Sequence, residues 1–488
     1  MRTLALLFAA ATSALAANEP VELPPLPKDS LSSQLDPDVR TGLEAARRKY
    51  ASPDETEREA AVALFAAVLH PLADDDLLKI ADGDGFPLVR LRAAEALMAR
   101  ENKGSAMSAA KLAVCGVPPT VRGAAADMVR KSGNAEAIAF LTEVFRKGAL
   151  RPEKGLGFDR SYNDLADLLY RTLGAAALGR IATPEAVKEL CGGLREPEWE
   201  LRAAAARALG DAGDRGTVPA LARSVQDKDM DVAIESALAL GRLGGAPAEA
   251  ALETAAKDPR PLVAKMAARA LRHAKERAAA PVPPPANPPA GGGGTEAQPP
   301  PTRALPPPAI DAPEGSTDLL FVIDATFSMA GEWPRVHCQV ESDILRHPDD
   351  GDLRVGFVLF RDFDNQWLTR QHFMTWDLSK VISWWRGQAA TGANAFMGSA
   401  SDKALTVATM LNLRRDYRAR VTVIGDAPPN DLSIARHRAR LLHMFEGAIV
   451  DGVYIDRDTE TRGFMTEIAE AGGGQARAFR SGAEPAPK

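Results

Sequence analysis

Two short runs gather side chains that could do chemistry together. Asp324-Ala-Thr326-Phe-Ser328 places a carboxylate and two hydroxyls at alternate positions, and Ile424-Gly-Asp426-Ala-Pro-Pro supplies a second carboxylate. Such a set suits a hard cation, since an ion such as Mg²⁺ wants about six oxygens near ~2.1 Å. Two hydroxyls spaced i and i+2 on a turn can both point at one ion, while carboxylates from neighbouring strand ends fix its coordinated waters. With few direct carboxylates the ion keeps most of its charge and seeks an acidic ligand from outside. The competing reading is structural: Asp, Ser and Thr after a strand commonly cap the next helix, which would leave a metal-free interaction module.

The elements around these runs decide whether they meet. Apolar stretches at Asp318 to Asp324, Leu353 to Phe360, Arg420 to Gly425 and Ala448 to Ile455 read as buried strands. Between them lie helix-like segments at Glu332 to Leu345, Asp377 to Trp385, Ser401 to Leu413, Asp431 to Phe445 and Thr459 to Ala471. This alternation predicts an α/β, doubly wound, Rossmann-like parallel sheet with helices on both faces. Both runs then fall at the carboxyl ends of strands, where ligands collect in such folds.

On these motifs residues 317–482 resemble von Willebrand factor A (VWA) domains and their metal-ion-dependent adhesion site. The first motif of that family is Asp-x-Ser-x-Ser with Thr accepted in the middle. Gly425-Asp426-Ala-Pro-Pro is common in its bacterial members, and Leu353 to Asp364, with Phe360-Arg-Asp362, is similar to their second strand. The resemblance implies a divalent cation, Mg²⁺ first with Mn²⁺ and Ca²⁺ as alternatives, that grips a partner's Asp or Glu. The implied metal ligands are Asp324, Thr326, Ser328 and Asp426 plus one residue from a middle loop. Aligning backward from Lys403-Ala-Leu makes that residue Ser399, with Thr391 or Asn394 as alternatives. Phe327 departs from the Gly of many bacterial members and could contact a ligand as an exposed aromatic.

The N-terminal half is organised differently. Leu178, Leu209, Leu240 and Leu271 recur every 31 residues, with Gly179, Gly210 and Gly241 after the first three, read as helix stops. Each unit opens on Asp or Glu, often with Pro, runs Ala- and Leu-rich at helical spacing, and continues into a second short helix such as Val218 to Val225. Weaker copies lie at Thr56 to Phe65, Val89 to Leu97 and Val121 to Val129, and the register breaks between Arg146 and Asn163. The pattern resembles HEAT-type repeats of the short, alanine-rich kind also seen in phycobilin lyases. It covers residues 36–278 and predicts an all-α solenoid. A lyase activity is not carried over, because repeat residues set packing and chemistry belongs to sites grafted on it.

Residues 1–16 read as a signal peptide, with a basic start, an apolar run and a small-residue cleavage pattern, so export to the periplasm or exterior is expected. No other stretch has the ~20 apolar residues of a membrane span. Residues 279–316, rich in Pro and Gly, read as a disordered linker able to hold two domains up to about 90 Å apart. A net charge of −6 in 488 residues argues against nucleic acid as a partner. Cys115, Cys191 and Cys338 are read as unpaired, mostly buried thiols. Asp82-Gly-Asp84-Gly and Asp349-Asp350-Gly-Asp352 read as polar turns, and the basic knot at Arg414, Arg415, Arg418 and Arg420 as solvated surface.

The function expected from all this is an exported, non-enzymatic protein-interaction or adhesion-type protein. One partner offers an acidic side chain to the metal, and another sits on the solenoid. The alternatives are a metal-free scaffold whose solenoid carries the binding and a metal-dependent hydrolase. The seven histidines form no His-Glu-x-x-His pair and no Gly-x-Ser-x-Gly elbow is present, which disfavours the hydrolase.

Overall fold

The computed structural model of the chain describes residues 18–26, 36–148, 166–279, 316–347, 352–361, 367–391, 399–414, 417–455 and 459–479. The expected leader (1–16), nearly all of the linker (280–315), most of the register break and Asn394 lie outside the described residues.

The solenoid begins with α1 (Pro37–Tyr50), α2 (Glu55–Ala67), α3 (Pro71–Gly83), α4 (Pro87–Ala99), α5 (Ser105–Ala113), α6 (Pro119–Ser132) and α7 (Ala135–Lys147). It continues with α8 (Ala166–Ile181), α9 (Pro184–Gly193), α10 (Trp199–Ala212), α11 (Val218–Ser224), α12 (Met230–Leu243), α13 (Ala246–Ala255) and α14 (Pro261–Ala279). Helix starts follow local chemistry: Pro184 fits the first turn of α9 because its missing N–H has no intrahelical partner, and Thr183 caps the helix by accepting from Ala186 N at 3.2 Å. Leu178, Leu209 and Leu240 are fully buried between layers.

The periodic glycines are not helix stops. Gly179, Gly210 and Gly241 lie inside α8, α10 and α12, and a Cβ on each would come within 2.8 Å of a backbone or side-chain atom of Ala208, Ala239 and Ala270, respectively. They are the points at which each repeat's long helix touches the next. The stop after α10 is instead Gly213, whose φ of +73° is left-handed and costs a Cβ-bearing residue more than glycine.

The C-terminal domain comprises β1 (Thr317–Asp324), α15 (Trp333–Leu345), β2 (Leu353–Phe360), β3 (Thr369–Thr375), α16 (Leu378–Arg386), α17 (Ser401–Met410), β4 (Arg418–Gly425), α18 (Leu432–Glu446), β5 (Ile449–Tyr454), α19 (Thr459–Ala471) and β6 (Gly473–Ala478). The sheet order is β3-β2-β1-β4-β5-β6, parallel except for β3, which pairs antiparallel with β2. This is a doubly wound α/β fold, with the order reversing beside β1. Alternate β1 residues serve two cores. Leu319, Phe321 and Ile323 pack with Trp333 and Val336 of α15 and Trp385 of α16, while Leu320 and Val322 pack with α17, α18 and the solenoid.

The two domains are docked rather than held apart. Asp231 of α12, 1% exposed, accepts from Thr375 Oγ1 at 2.6 Å, Trp376 N at 2.9 Å and Lys380 Nζ at 3.1 Å. The Trp376 side chain enters an apolar cluster with Ala233, Ile234, Val263 and Met266 of the solenoid. Further along, Arg269 pairs with Asp352 at 3.1 Å, Arg438 donates to Gly116 O at 2.6 Å, and Arg440 pairs with Glu55. The expected solvated residues change character accordingly. Arg414 is buried, pairs with Glu235 at 3.3 Å and lies over the rings of Trp376 and Tyr417. Asp352 is an interface group, and Asp84 lies in an inter-helix turn but is fully buried against Arg58 at 3.0 Å. The cysteines are all unpaired, with Cys115 buried, Cys191 half-buried and Cys338 exposed, so burial fails for the last.

Candidate functional site

Pairing of β1 with β4, with Ile323 opposite Ile424, brings the two sequence runs together at the carboxyl edge of the sheet. After Asp324 the chain turns, and Thr326 donates to Asp324 Oδ1 from its backbone N at 2.9 Å and from its hydroxyl at 2.6 Å. Thr326 Oγ1 lies 2.9 Å from Ser328 Oγ, and Ser328 Oγ donates to Asp426 Oδ1 at 2.9 Å. Four side chains from two strand ends thus form one string of oxygens. Asp324 is fully buried, Thr326 and Asp426 nearly so, and Ser328 half-buried.

The capping reading fits this geometry poorly. Thr326 stands at the N-cap of the short 3₁₀ turn Phe327–Gly331, yet its side chain makes no capping hydrogen bond. Its hydroxyl is spent on Asp324 and Ser328 instead. Gly425 keeps the space open, since a Cβ there would stand 3.3 Å from Asp324 Cβ and 3.5 Å from its Oδ2. Phe327 is 56% exposed at the rim.

The middle loop contributes differently. Ser399 forms an isolated bridge with Pro429; its N donates to Pro428 O at 2.6 Å and its hydroxyl to Ala427 O at 3.3 Å. It therefore lies against the segment following Asp426, one step from the oxygen string. Thr391 flanks the first loop from the other side: its N donates to Ala325 O at 3.1 Å and its hydroxyl accepts from Arg361 Nη2 at 2.5 Å.

Three neighbours had no site role in the sequence reading, Arg361 entering it only within the Phe360-Arg-Asp362 strand motif. Thr461 Oγ1 donates to Asp426 O at 3.3 Å and so fixes the backbone of that ligand position. Arg361 stacks 4.0 Å over Trp367 and carries the Thr391 contact. Asp402, buried in the first turn of α17, pairs with Lys403 at 3.2 Å, and burial holds its carboxyl above the usual carboxylate range. Only Asp402 had a sequence signal, the acidic first turn of a helix. Thr461 and Arg361 are placed by long-range packing.

A family model described as HEAT repeats matches residues 166–237. Among solved structures, the chain is similar to the conserved hypothetical protein BatB from Bacteroides thetaiotaomicron, at 15% identity over 33% of this chain and 90% of that one, with a TM-score of 0.27. It is also similar to the SpRpn10 VWA domain, at 16% identity over 35% and 90%, TM-score 0.26. The complex of CpcE and CpcF of phycocyanin lyase from Nostoc sp. PCC7120 matches at 20% identity over 52% and 99%, TM-score 0.24. No curated protein matches the chain.

Proposed function

We propose that this chain, a HEAT-repeat solenoid joined to a VWA-like domain, is an exported protein-interaction scaffold that grips an acidic side chain of its partner through a divalent cation. The observation that carries the reading is the string Asp324, Thr326, Ser328, Asp426, two carboxylates and two hydroxyls linked by contacts of 2.6 to 2.9 Å. This all-oxygen donor set fits a hard cation, Mg²⁺ first and Mn²⁺ or Ca²⁺ next. When bound, the ion supplies positive charge for an outside carboxylate. Thr326 and Ser328 would offer neutral oxygens, Asp324 and Asp426 the carboxylates, and Ser399 or Thr391 the middle-loop oxygen. Exposed Phe327 gives the partner an apolar contact at the rim.

The scaffold binds rather than catalyses in this reading, and the basis for export is the pattern of residues 1–16. Among the described residues no helix is long and apolar enough to cross a membrane. A second reading has its own support: the Thr326 and Ser328 hydroxyls already bond one oxygen each of Asp324 and Asp426, as a metal-free interaction module would use them.

Calorimetric titration of Mg²⁺ and Mn²⁺ into the full chain and into an Asp324→Ala, Ser328→Ala variant separates the two. Saturable heat lost in the variant supports the cation site. A folded wild-type chain that takes up neither ion at about millimolar concentration favours the metal-free module.

A further inference from the structure

A cavity of about 550 Å³ lies between the two domains, walled by α6, α8 and α10 on the solenoid side and by β2, β3 and the loop after α17 on the other. Its size is that of a small-molecule site. Arg122, Arg180, Arg207, Arg354 and Arg414 reach its wall, and so do Asp127, Glu200, Asp211 and Glu235. Most of these charges are matched. Arg414 pairs with Glu235 at 3.3 Å, Arg354 with Asp318 at 2.5 Å, Arg180 with Asp127 at 3.9 Å, and Asp211 with Arg242 at 3.5 Å.

Two arginines are held more loosely. Arg122 is 6% exposed and donates to the carbonyls of Val117 and, at 3.0 Å, Thr409, with the buried Glu446 as the carboxylate acting on it. The Arg207 guanidinium makes no hydrogen bond or close ion pair among the described residues but shares the field of Glu235 with Arg414, and burial presses both Arg122 and Arg207 down to about 10, which leaves them charged at neutral pH. Glu200, the remaining acid, is pushed up to about 7 by burial, so it offsets only part of that charge at neutral pH. Arg207 and Arg414 thus share one buried carboxylate, and buried cations that share a counter-charge are costly. The rest of the wall is largely apolar, including Leu173, Ala204, Phe373, Met374 and Met410.

We propose that this interdomain cavity binds a small organic anion, an apolar body bearing a carboxylate, with Arg122 and Arg207 as its counter-charges. The ligand completes the wall between the domains and adds a second negative charge where Arg207 and Arg414 share Glu235.

The test uses the full chain and two fluorescent probes of equal length, 11-(dansylamino)undecanoate and the corresponding neutral alcohol. The acid is expected to bind saturably, with blue-shifted emission, and the alcohol at least about tenfold more weakly, as for loss of one charge-assisted hydrogen bond. Arg207→Met and Arg122→Met should each weaken the acid, but not the alcohol, by a similar factor, and Ala204→Phe should block both probes by filling the space. Equal affinity for acid and alcohol overturns the proposal, as does unchanged acid binding in the double arginine variant or absence of saturable binding at about 100 µM. Circular dichroism checks folding. If the methionine variants fail to fold, the acid-to-alcohol ratio in the wild-type chain decides the matter alone.

Discussion

The amino end of the α/β sheet can be set against its carboxyl end. At the amino end Asp318, fully buried, holds Arg354 at 2.5 Å and accepts from Arg414 N at 2.8 Å, and Arg414 reaches across to Glu235 of the solenoid. At the carboxyl end Asp324 and Asp426 have hydroxyls as their partners, with an exposed aromatic at the rim. Both ends carry acids at strand termini. One set is matched by guanidiniums and serves as glue, while the other is met by hydroxyls, the donor set on which the proposed cation site rests. A carboxylate's role in this molecule is set by what faces it.

That contrast is broken most strongly at the dock. Trp376→Ala should remove about 3–5 kcal/mol by leaving a hole among Ala233, Ile234, Val263 and Met266. Urea unfolding is expected to separate into two transitions, and a single unshifted transition would refute Trp376 as the wedge. Asp231→Ala strips Thr375, Trp376 N and Lys380 of a shared acceptor and should cost about 3 kcal/mol. Gly210→Ala, which forces a Cβ to 2.8 Å from Ala239 Cα, should cost about 1–3 kcal/mol inside the solenoid and leave cation uptake intact.

Acid sharpens the comparison. Burial alone would raise Glu235, but Arg414 and Arg207 outweigh it and hold its carboxyl at about 2, below the usual range. An acid lowered on folding stabilises above its unfolded pKa, so Glu235 holds the dock at neutral pH and releases it as pH falls from about 4.5 toward 2. Asp231, which burial pushes up to about 6, works in the opposite direction: its contribution is largest below about 4 and is lost as pH climbs to 6. Glu235→Gln should therefore be less stable than the wild-type chain from pH 7 to about 4.5 and converge with it toward pH 2. A parallel offset at every pH would contradict the assignment. The smallest structural effect belongs to the carboxyl end. Asp426→Asn should weaken Mn²⁺ binding by about tenfold or more while changing stability by no more than about 1 kcal/mol.

Much of the architecture was legible because it rests on local periodicity. Leu178, Leu209, Leu240 and Leu271 announce stacked helices, and the buried runs of β1 and β2 announce central strands. The edge strands were not legible: β3 is Thr-Arg-Gln-His-Phe-Met-Thr and β6 is Gly-Gly-Gln-Ala-Arg-Ala, too polar or too glycine-rich to be read as strands without their neighbours. Of the site, Asp324, Thr326, Ser328 and Asp426 could be placed because each follows a recognisable strand, whereas Ser399 depended on a loop whose path no periodicity sets. The dock was invisible for a further reason. Arg414 finds Glu235 across 179 positions, and nothing near Arg414 in the chain distinguishes a guanidinium bound for a partner from one bound for water.

The dock touches the repeats from Glu55 in α2 to Arg269 in α14, nearly the whole run of helices. A stack of repeats joined only to their neighbours flexes as a spring does, each joint adding its own small bend. Tied near both extremities to one stiff sheet, the spring becomes a braced bow, and a pull on either module strains the other rather than being taken up along its length.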